Sequence, residues 1–230
     1  MRDERASGAG ALSGPAADEN ASGPPRERAL REHDLAATWL EQFERWLEES
    51  RRSGMREPDA MVLATADSQA RPSVRSVLLK GCDERGFVFF TNLDSRKGRE
   101  LAQNPHAALV FPWFQLERQV LVTGEVSELE PQASDAYFQS RGYGSRISAY
   151  ASRQSHVIPD RASLEHARAR MEERFPAEQV VPRPAWWGGL RLEPDSVEFW
   201  QGRRNRLHDR LRYRRSAGER GAWLVERLAP

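Results

Sequence analysis

The chain has 230 residues, 35 Lys and Arg against 34 Asp and Glu, a formal net charge of +1 and a single cysteine, Cys82. Near-neutral, interleaved charge argues against an extended surface for nucleic acid or anionic membrane, and one cysteine excludes an internal disulfide framework and a cysteine-rich metal site, as in a reducing cytosol. No run approaches the ~20 apolar residues of a membrane span and no apolar segment follows the N-terminal charges, so the protein is expected in the cytoplasm.

Residues 1–28 are rich in Gly, Ala, Ser, Pro and charge and almost lack large apolar side chains. Such a segment cannot offset its own ordering entropy and reads as a disordered tail. Across 34–52, Leu35, Trp39, Leu40, Phe43, Trp46 and Leu47 recur at three- and four-residue spacing, which predicts a helix whose aromatics belong to a core. The period then changes. Residues 60–66, 73–81 and 87–91 are short β-rich runs separated by Asp67-Ser68-Gln69 and Asp83-Glu84-Arg85-Gly86, the pattern of a β-meander. Cys82, beside the second turn, reads as a small filler. Asp94 or Ser95 is placed to cap a short helix reaching 104, strands are expected at 107–111 and 119–128, and helices near 134–141 and 161–175. Apolar β-like runs at 189–192, 196–201, 210–214 and 222–228 close the chain. Strands outnumber helices without regular βαβ alternation, so the expected architecture is mostly β, an antiparallel barrel with peripheral helices.

Among the 35 basic residues only Lys80 and Lys97 are lysine. An ammonium is a compact charge on a flexible stem and a guanidinium a planar fork, so two positions in this arginine-rich chain read as needing the former. Arg75-Ser76-Val77-Leu78-Leu79-Lys80 carries a cation at each end of an apolar run. Strand alternation turns residues five apart to opposite faces, so a regular strand would give Arg75 and Lys80 different anions; a core strand with exposed charged ends is the other reading. The loop from Thr91 to Gly98 enters a predicted helix with Ser95, Arg96 and Lys97 at its start, which suits a phosphate and equally an ordinary capped helix start. The run from Val197 to Arg210 combines Trp200, Gln201, His208 and several arginines, groups able to hold a planar ring beside an anionic substrate; a basic turn between strands has the same composition. His106, His156 and His166 lack metal-ligand spacing, so no metal is expected. Gly142-Tyr143-Gly144 lacks the strand-to-helix context of a dinucleotide fingerprint.

The stretch from Val197 to Arg210, ending Arg206-Leu207-His208-Asp209-Arg210, resembles the signature of the pyridoxamine 5′-phosphate oxidase family. Further points of similarity run from Asp34 to Pro230, among them Ser95-Arg96-Lys97, Phe111-Pro112-Trp113, Arg153-Gln154-Ser155, Trp187-Gly188-Gly189 and the closing Glu226-Arg227-Leu228-Ala229-Pro230. The resemblance implies an antiparallel split β-barrel over residues 29–230, FMN as cofactor, and a homodimer with two flavin sites at the subunit interface. It implies that Arg75 and Lys97 bind the FMN phosphate with Arg96, Gln154 and Ser155 nearby. Ser76, Val77, Leu78, Leu79, Lys80, Phe90, Thr91, Gln119, Trp200 and Arg210 complete the implied cofactor set. Lys80, Tyr137, Arg141 and Ser145 match substrate-phosphate contacts, and Arg206, Leu207 and His208 the substrate's pyridine ring, with Arg206 and His208 as the catalytic pair. The implied reaction is oxidation of pyridoxine and pyridoxamine 5′-phosphates to pyridoxal 5′-phosphate, with O2 reduced to H2O2.

The chain departs from that pattern on the substrate side. No tyrosine precedes Tyr137, so Arg26-Glu27-Arg28 is a loose counterpart of the family's N-terminal Arg-x-x-Tyr segment; Gly142 replaces the usual proline, and Arg146, Ser148 and Tyr150 stand where Gln, Gly and Trp are usual. The alternatives are a same-fold oxidase of secondary metabolism, such as the phenazine-forming relatives, and a non-catalytic flavin or pyridoxal-phosphate binder.

Overall fold

The computed structural model describes residues 29–217 and 221–230; the tail expected over 1–28 lies outside them. Helix α1, Trp39–Arg52, starts at Thr38, whose hydroxyl accepts from the Glu41 N–H while Glu41 reaches back to the Thr38 N–H, a capping box that places the start after the extended Leu35. The strands are β1 Ala60–Ala66, β2 Pro72–Leu78, β3 Gly81–Asp83, β4 Gly86–Asn92, β5 His106–Trp113, β6 Arg118–Glu128, β7 Trp187–Gln201, β8 Asp209–Arg215 and β9 Trp223–Arg227. Helices α2 Arg96–Gln103, α3 Pro131–Ser140, α4 Tyr143–Ala151 and α5 Arg161–Arg174 lie between them.

All described pairings are antiparallel, in the order β2-β1-β5-β6-β7-β4-β3, with β8 joined to β7 and β9 to β8. The 15-residue β7 organises the molecule. One edge pairs with β6 along its length, while the other pairs with β4 through its first half and with β8 through its second. The two halves part at a bulge opposite Thr123 and Gly124, where Pro194 sits. A Cβ on Gly124 would lie 2.0 Å from the Glu193 carbonyl oxygen, so the close crossing there needs glycine. The runs expected at 189–192 and 196–201 are therefore one strand, the intervening proline tolerated by the bulge. The sheet curls until β2 touches β4, giving the split barrel.

The barrel interior is aromatic. Phe43 of α1 lies with its ring 4.9 Å from those of Phe87 and Phe111, and Trp46 meets Phe199 edge-on at 5.2 Å, as the helical spacing predicted. Cys82 packs against this core, and burial pushes its thiol pKa up, in keeping with a filler. A second cluster, Phe138, Ile147, Val181 and Trp187, fastens α3 and α4 to the start of β7. Helix α4 was not expected from sequence.

Gly98 fixes the start of α2: a Cβ there would sit 1.9 Å from the Leu93 carbonyl oxygen. Gly98→Ala is expected to cost roughly 1–3 kcal/mol by overpacking, about 2–4 °C of Tm per kcal/mol for a chain of this size. An unchanged thermal midpoint in the variant would contradict this packing.

Candidate functional site

Where β2 and β4 approach without pairing, a cavity of about 790 Å³ opens, walled on its other sides by α2, α3 and α4. Six consecutive residues of β2, Ser73 to Leu78, line it. A strand presents successive side chains to opposite faces, so such a run borders a cavity along the strand's edge, and β2 is an edge strand. Among the described residues five cationic side chains, Arg75, Lys80, Arg96, Lys97 and Arg141, line the cavity, and no carboxylate does. Both lysines of the chain are among them. Burial alternates from Ser73 through to Lys80, so Arg75 and Lys80 fall in opposite phases as expected, and both border the cavity because it opens along the edge of β2.

The α2 end is built by Ser95. Its hydroxyl caps the helix by accepting from the Gly98 N–H, and also accepts from Lys97 Nζ at 3.1 Å. Lys97 is 7% exposed; its Nζ further donates to Thr91 Oγ1 at 2.9 Å and Gln154 Oε1 at 2.6 Å. All three partners are neutral. Desolvation, with Arg75 nearby, lowers the Lys97 pKa to about 8. A buried cation held only by neutral oxygens at a helix N-terminus is a site for an anion. Ser155, beside Gln154, lines the cavity at φ +71°.

The α3 wall carries Tyr137 and Arg141. Tyr137 stacks on Phe90 at 3.9 Å and 17°, Phe90 on Trp187 at 5.4 Å and 13°, and the Arg141 guanidinium lies 4.7 Å from the Trp187 ring centroid. Arg141 Nη1 is buried without a hydrogen-bond partner, and burial lowers its pKa. An unsatisfied buried guanidinium nitrogen beside a cavity is a second place for an acceptor.

The remaining sequence-selected residues are elsewhere. Gln119, Trp200 and Arg210 face one another in register across β6, β7 and β8, forming a row on the sheet's outer face. The His208 ring lies 4.6 Å from that of Trp200, and His208 Nδ1 accepts from the Arg203 N–H at 3.1 Å, so the neutral ring carries its proton on Nε2. Arg210 pairs with Glu198 at 2.7 Å. Asn205 and Arg206 both hold positive φ, +56° and +62°, and Arg206 and Leu207 are exposed. None of these side chains lines the cavity. Nor does Ser145, which is exposed in the first turn of α4, or Leu79, which is 6% exposed within the main core. Leu79 continues the inward phase of Arg75 and Val77, and its side chain packs in the core. Sequence reasoning assigned no role to Trp187, Asn92, Ser73, Ser148, Ala149 or Ser152, which line the cavity, or to Glu100 behind it.

A family model described as pyridoxamine 5′-phosphate oxidase matches residues 47–175, and one described as the pyridoxine 5′-phosphate oxidase C-terminal dimerisation region matches 187–230. The chain is 56% identical over 201 residues to a pyridoxine/pyridoxamine 5′-phosphate oxidase of Salinispora arenicola, covering 87% of this chain and 90% of that protein. Among solved structures it is similar to PhzG from Burkholderia lata, determined with tetrahydrophenazine-1-carboxylic acid, at a TM-score of 0.81 and 33% identity over 89% of this chain and 98% of that one. The fold is shared with a pyridoxamine 5′-phosphate oxidase-related, FMN-binding protein of Nostoc punctiforme, at a TM-score of 0.65 and 19% identity over 85% of this chain and 98% of that one. With a split barrel and both halves of the family's sequence accounted for, the chain belongs to the pyridoxamine 5′-phosphate oxidase family of oxidoreductases.

Proposed function

We propose that this protein is an FMN-dependent oxidase that converts pyridoxine 5′-phosphate and pyridoxamine 5′-phosphate to pyridoxal 5′-phosphate, working in the cytoplasm as a homodimer. The observation that carries the reading is the cavity itself, with five cations, no carboxylate among the described residues and a stack of three near-parallel rings. It suits two anionic groups borne on planar rings. The cations around α2 fit the FMN phosphate, and Arg141 with Tyr137 and Lys80 fit the phosphate of the substrate.

Arg75, Arg96 and Lys97, with Gln154 and Ser155, would hold the FMN phosphate, and the β2 edge with Phe90 and Thr91 the flavin. FMN held there would supply the redox chemistry, hydride acceptance from the exocyclic carbon of the substrate and reoxidation by O2 to H2O2. Gln119, Trp200, Arg206, His208 and Arg210 reach a cavity in the opposing copy of the chain. The match to a dimerisation region supports this arrangement, and a twofold axis makes two such sites at once. His208 offers Nε2–H as a donor, and Arg206 an exposed guanidinium, to orient the pyridine ring and steady developing charge. Two consecutive left-handed residues at Asn205 and Arg206 are a conformational cost of the kind retained where a side chain must be aimed.

The similarity to PhzG favours a second reading, oxidation of a phenazine precursor. Aerobic incubation of FMN-loaded protein with each B6 phosphate, following aldehyde and peroxide together, separates the two. Equal yields of aldehyde and peroxide are expected. A yellow protein that turns over neither phosphate but oxidises a reduced phenazine establishes the second reading.

A further inference from the structure

Behind the cations at the α2 end lies a carboxylate that takes no part in lining the cavity. Glu100 is 5% exposed and sits one turn along α2 from Arg96. Its Oε1 accepts from Arg96 Nε at 2.7 Å. Its Oε2 accepts from Ser73 Oγ at 2.6 Å, from Arg75 Nη2 at 3.3 Å and from the Thr65 hydroxyl.

The direction of every bond to a charged group in this network is fixed. A guanidinium can only donate and a carboxylate can only accept. Arg75 Nη1 donates to Thr65 Oγ1 at 2.6 Å and Nη2 donates to Ser73 Oγ; both hydroxyls then donate onward to Glu100. Arg75 on β2 and Arg96 on α2 are thereby tied to the two oxygens of one carboxylate. Arg96 gives it only Nε, so its two Nη groups remain for the cavity. Lys97 adds a third positive charge close by. Three like charges converging on one point repel, and an anion site assembled only when its anion arrives would lose affinity to that reorganisation.

Resting on the assignment of this end to the FMN phosphate, we propose that Glu100 is a positioning residue: from behind the site it holds Arg75 and Arg96 apart at the spacing a phosphate monoester requires, before any ligand binds. Glu100 does not line the cavity, whereas Arg75 and Arg96 do, so it acts on a phosphate there through the two arginines. Its influence is confined to the phosphate end of the ligand.

The test compares two flavins that differ only in that phosphate. Apoprotein is titrated with FMN and with riboflavin by quenching of flavin fluorescence, for the wild type and for Glu100→Gln. The amide keeps the shape but puts a donor where only donors arrive, so one arginine loses its tie. The proposal expects FMN affinity to fall about tenfold or more, as for loss of a charge-assisted bond, with riboflavin affinity within about twofold of wild type. Ser73→Ala, which removes one relaying hydroxyl, should show the same selective loss on a smaller scale and serves if the amide variant does not fold.

Equal losses for both flavins would make Glu100 merely structural. Unchanged or tighter FMN binding would make it a bystander whose charge only weakens the site. Either overturns the proposal alone. A wild type that binds FMN no better than riboflavin overturns the phosphate assignment, and the proposal with it.

Discussion

Arg206→Ala is expected to lower turnover of both B6 phosphates roughly 10²- to 10³-fold, the usual cost of removing one donor aimed at developing charge, while Tm stays within a degree or two. The separation of the two effects follows from where the residue sits. Arg206 is exposed and belongs to neither hydrophobic core, and substitutions at such surface positions usually change stability by less than about 0.5 kcal/mol. Its φ of +62° is as uncomfortable for alanine as for arginine, so the substitution leaves backbone strain unaltered. Arg206→Gly relieves that strain and should be as inactive, and slightly more stable. Steady-state rates beside thermal melts of the three proteins decide the matter. Unchanged rates would remove Arg206 from the chemistry, and a large fall in Tm would show that the 204–206 turn is structural.

The second large effect concerns Lys97. In Lys97→Met the only charge among Thr91, Ser95 and Gln154 disappears, and FMN affinity should drop by a factor of about 30 to 5 × 10³, equivalent to about 2–5 kcal/mol for truncating one partner of a buried charge pair. The same lysine gives the wild type a pH signature. With its pKa lowered to about 8 in the ligand-free protein, Lys97 is mainly charged below pH 8 and must take up a proton above it to meet a phosphate. A phosphate monoester with its second pKa near ~6 is already dianionic there. FMN affinity should therefore be flat from pH 7 to about 8 and then fall, approaching tenfold per pH unit. In Lys97→Met that decline should vanish. A decline that persists in the variant assigns the titration to another group.

Local signals carried most of the barrel. β-rich runs bounded by turn residues marked β1 and β4, apolar β-rich runs marked β5 and β6, and three-and-four spacing marked α1; all of these elements pack into the same core. Helix α4 escaped because Gly142, Gly144 and several serines dilute its periodicity and it buries only Ile147. Pro194 suggested a break in what is one strand, since the compensating glycine lies far away in β6. The candidate site was legible in kind more than in place. The loop at Ser95 to Lys97 suggested an anion site, beside an ordinary capped helix start, through local chemistry, but nothing local places Glu100 behind Arg75, a contact 25 residues apart across two elements. The row Gln119, Trp200 and Arg210 likewise exists only through strand register.

Strand β7 carries Trp187 near one end and Trp200 near the other, about 40 Å apart along an extended chain. The first belongs to the cavity and the second to the row that the proposed dimer delivers to the opposing copy. Each finished catalytic centre then takes its halves from two different polypeptides. Two inactive alleles, one damaged at Lys97 and the other at Arg206, can complement each other: in a mixed dimer one centre collects both lesions and the other collects none.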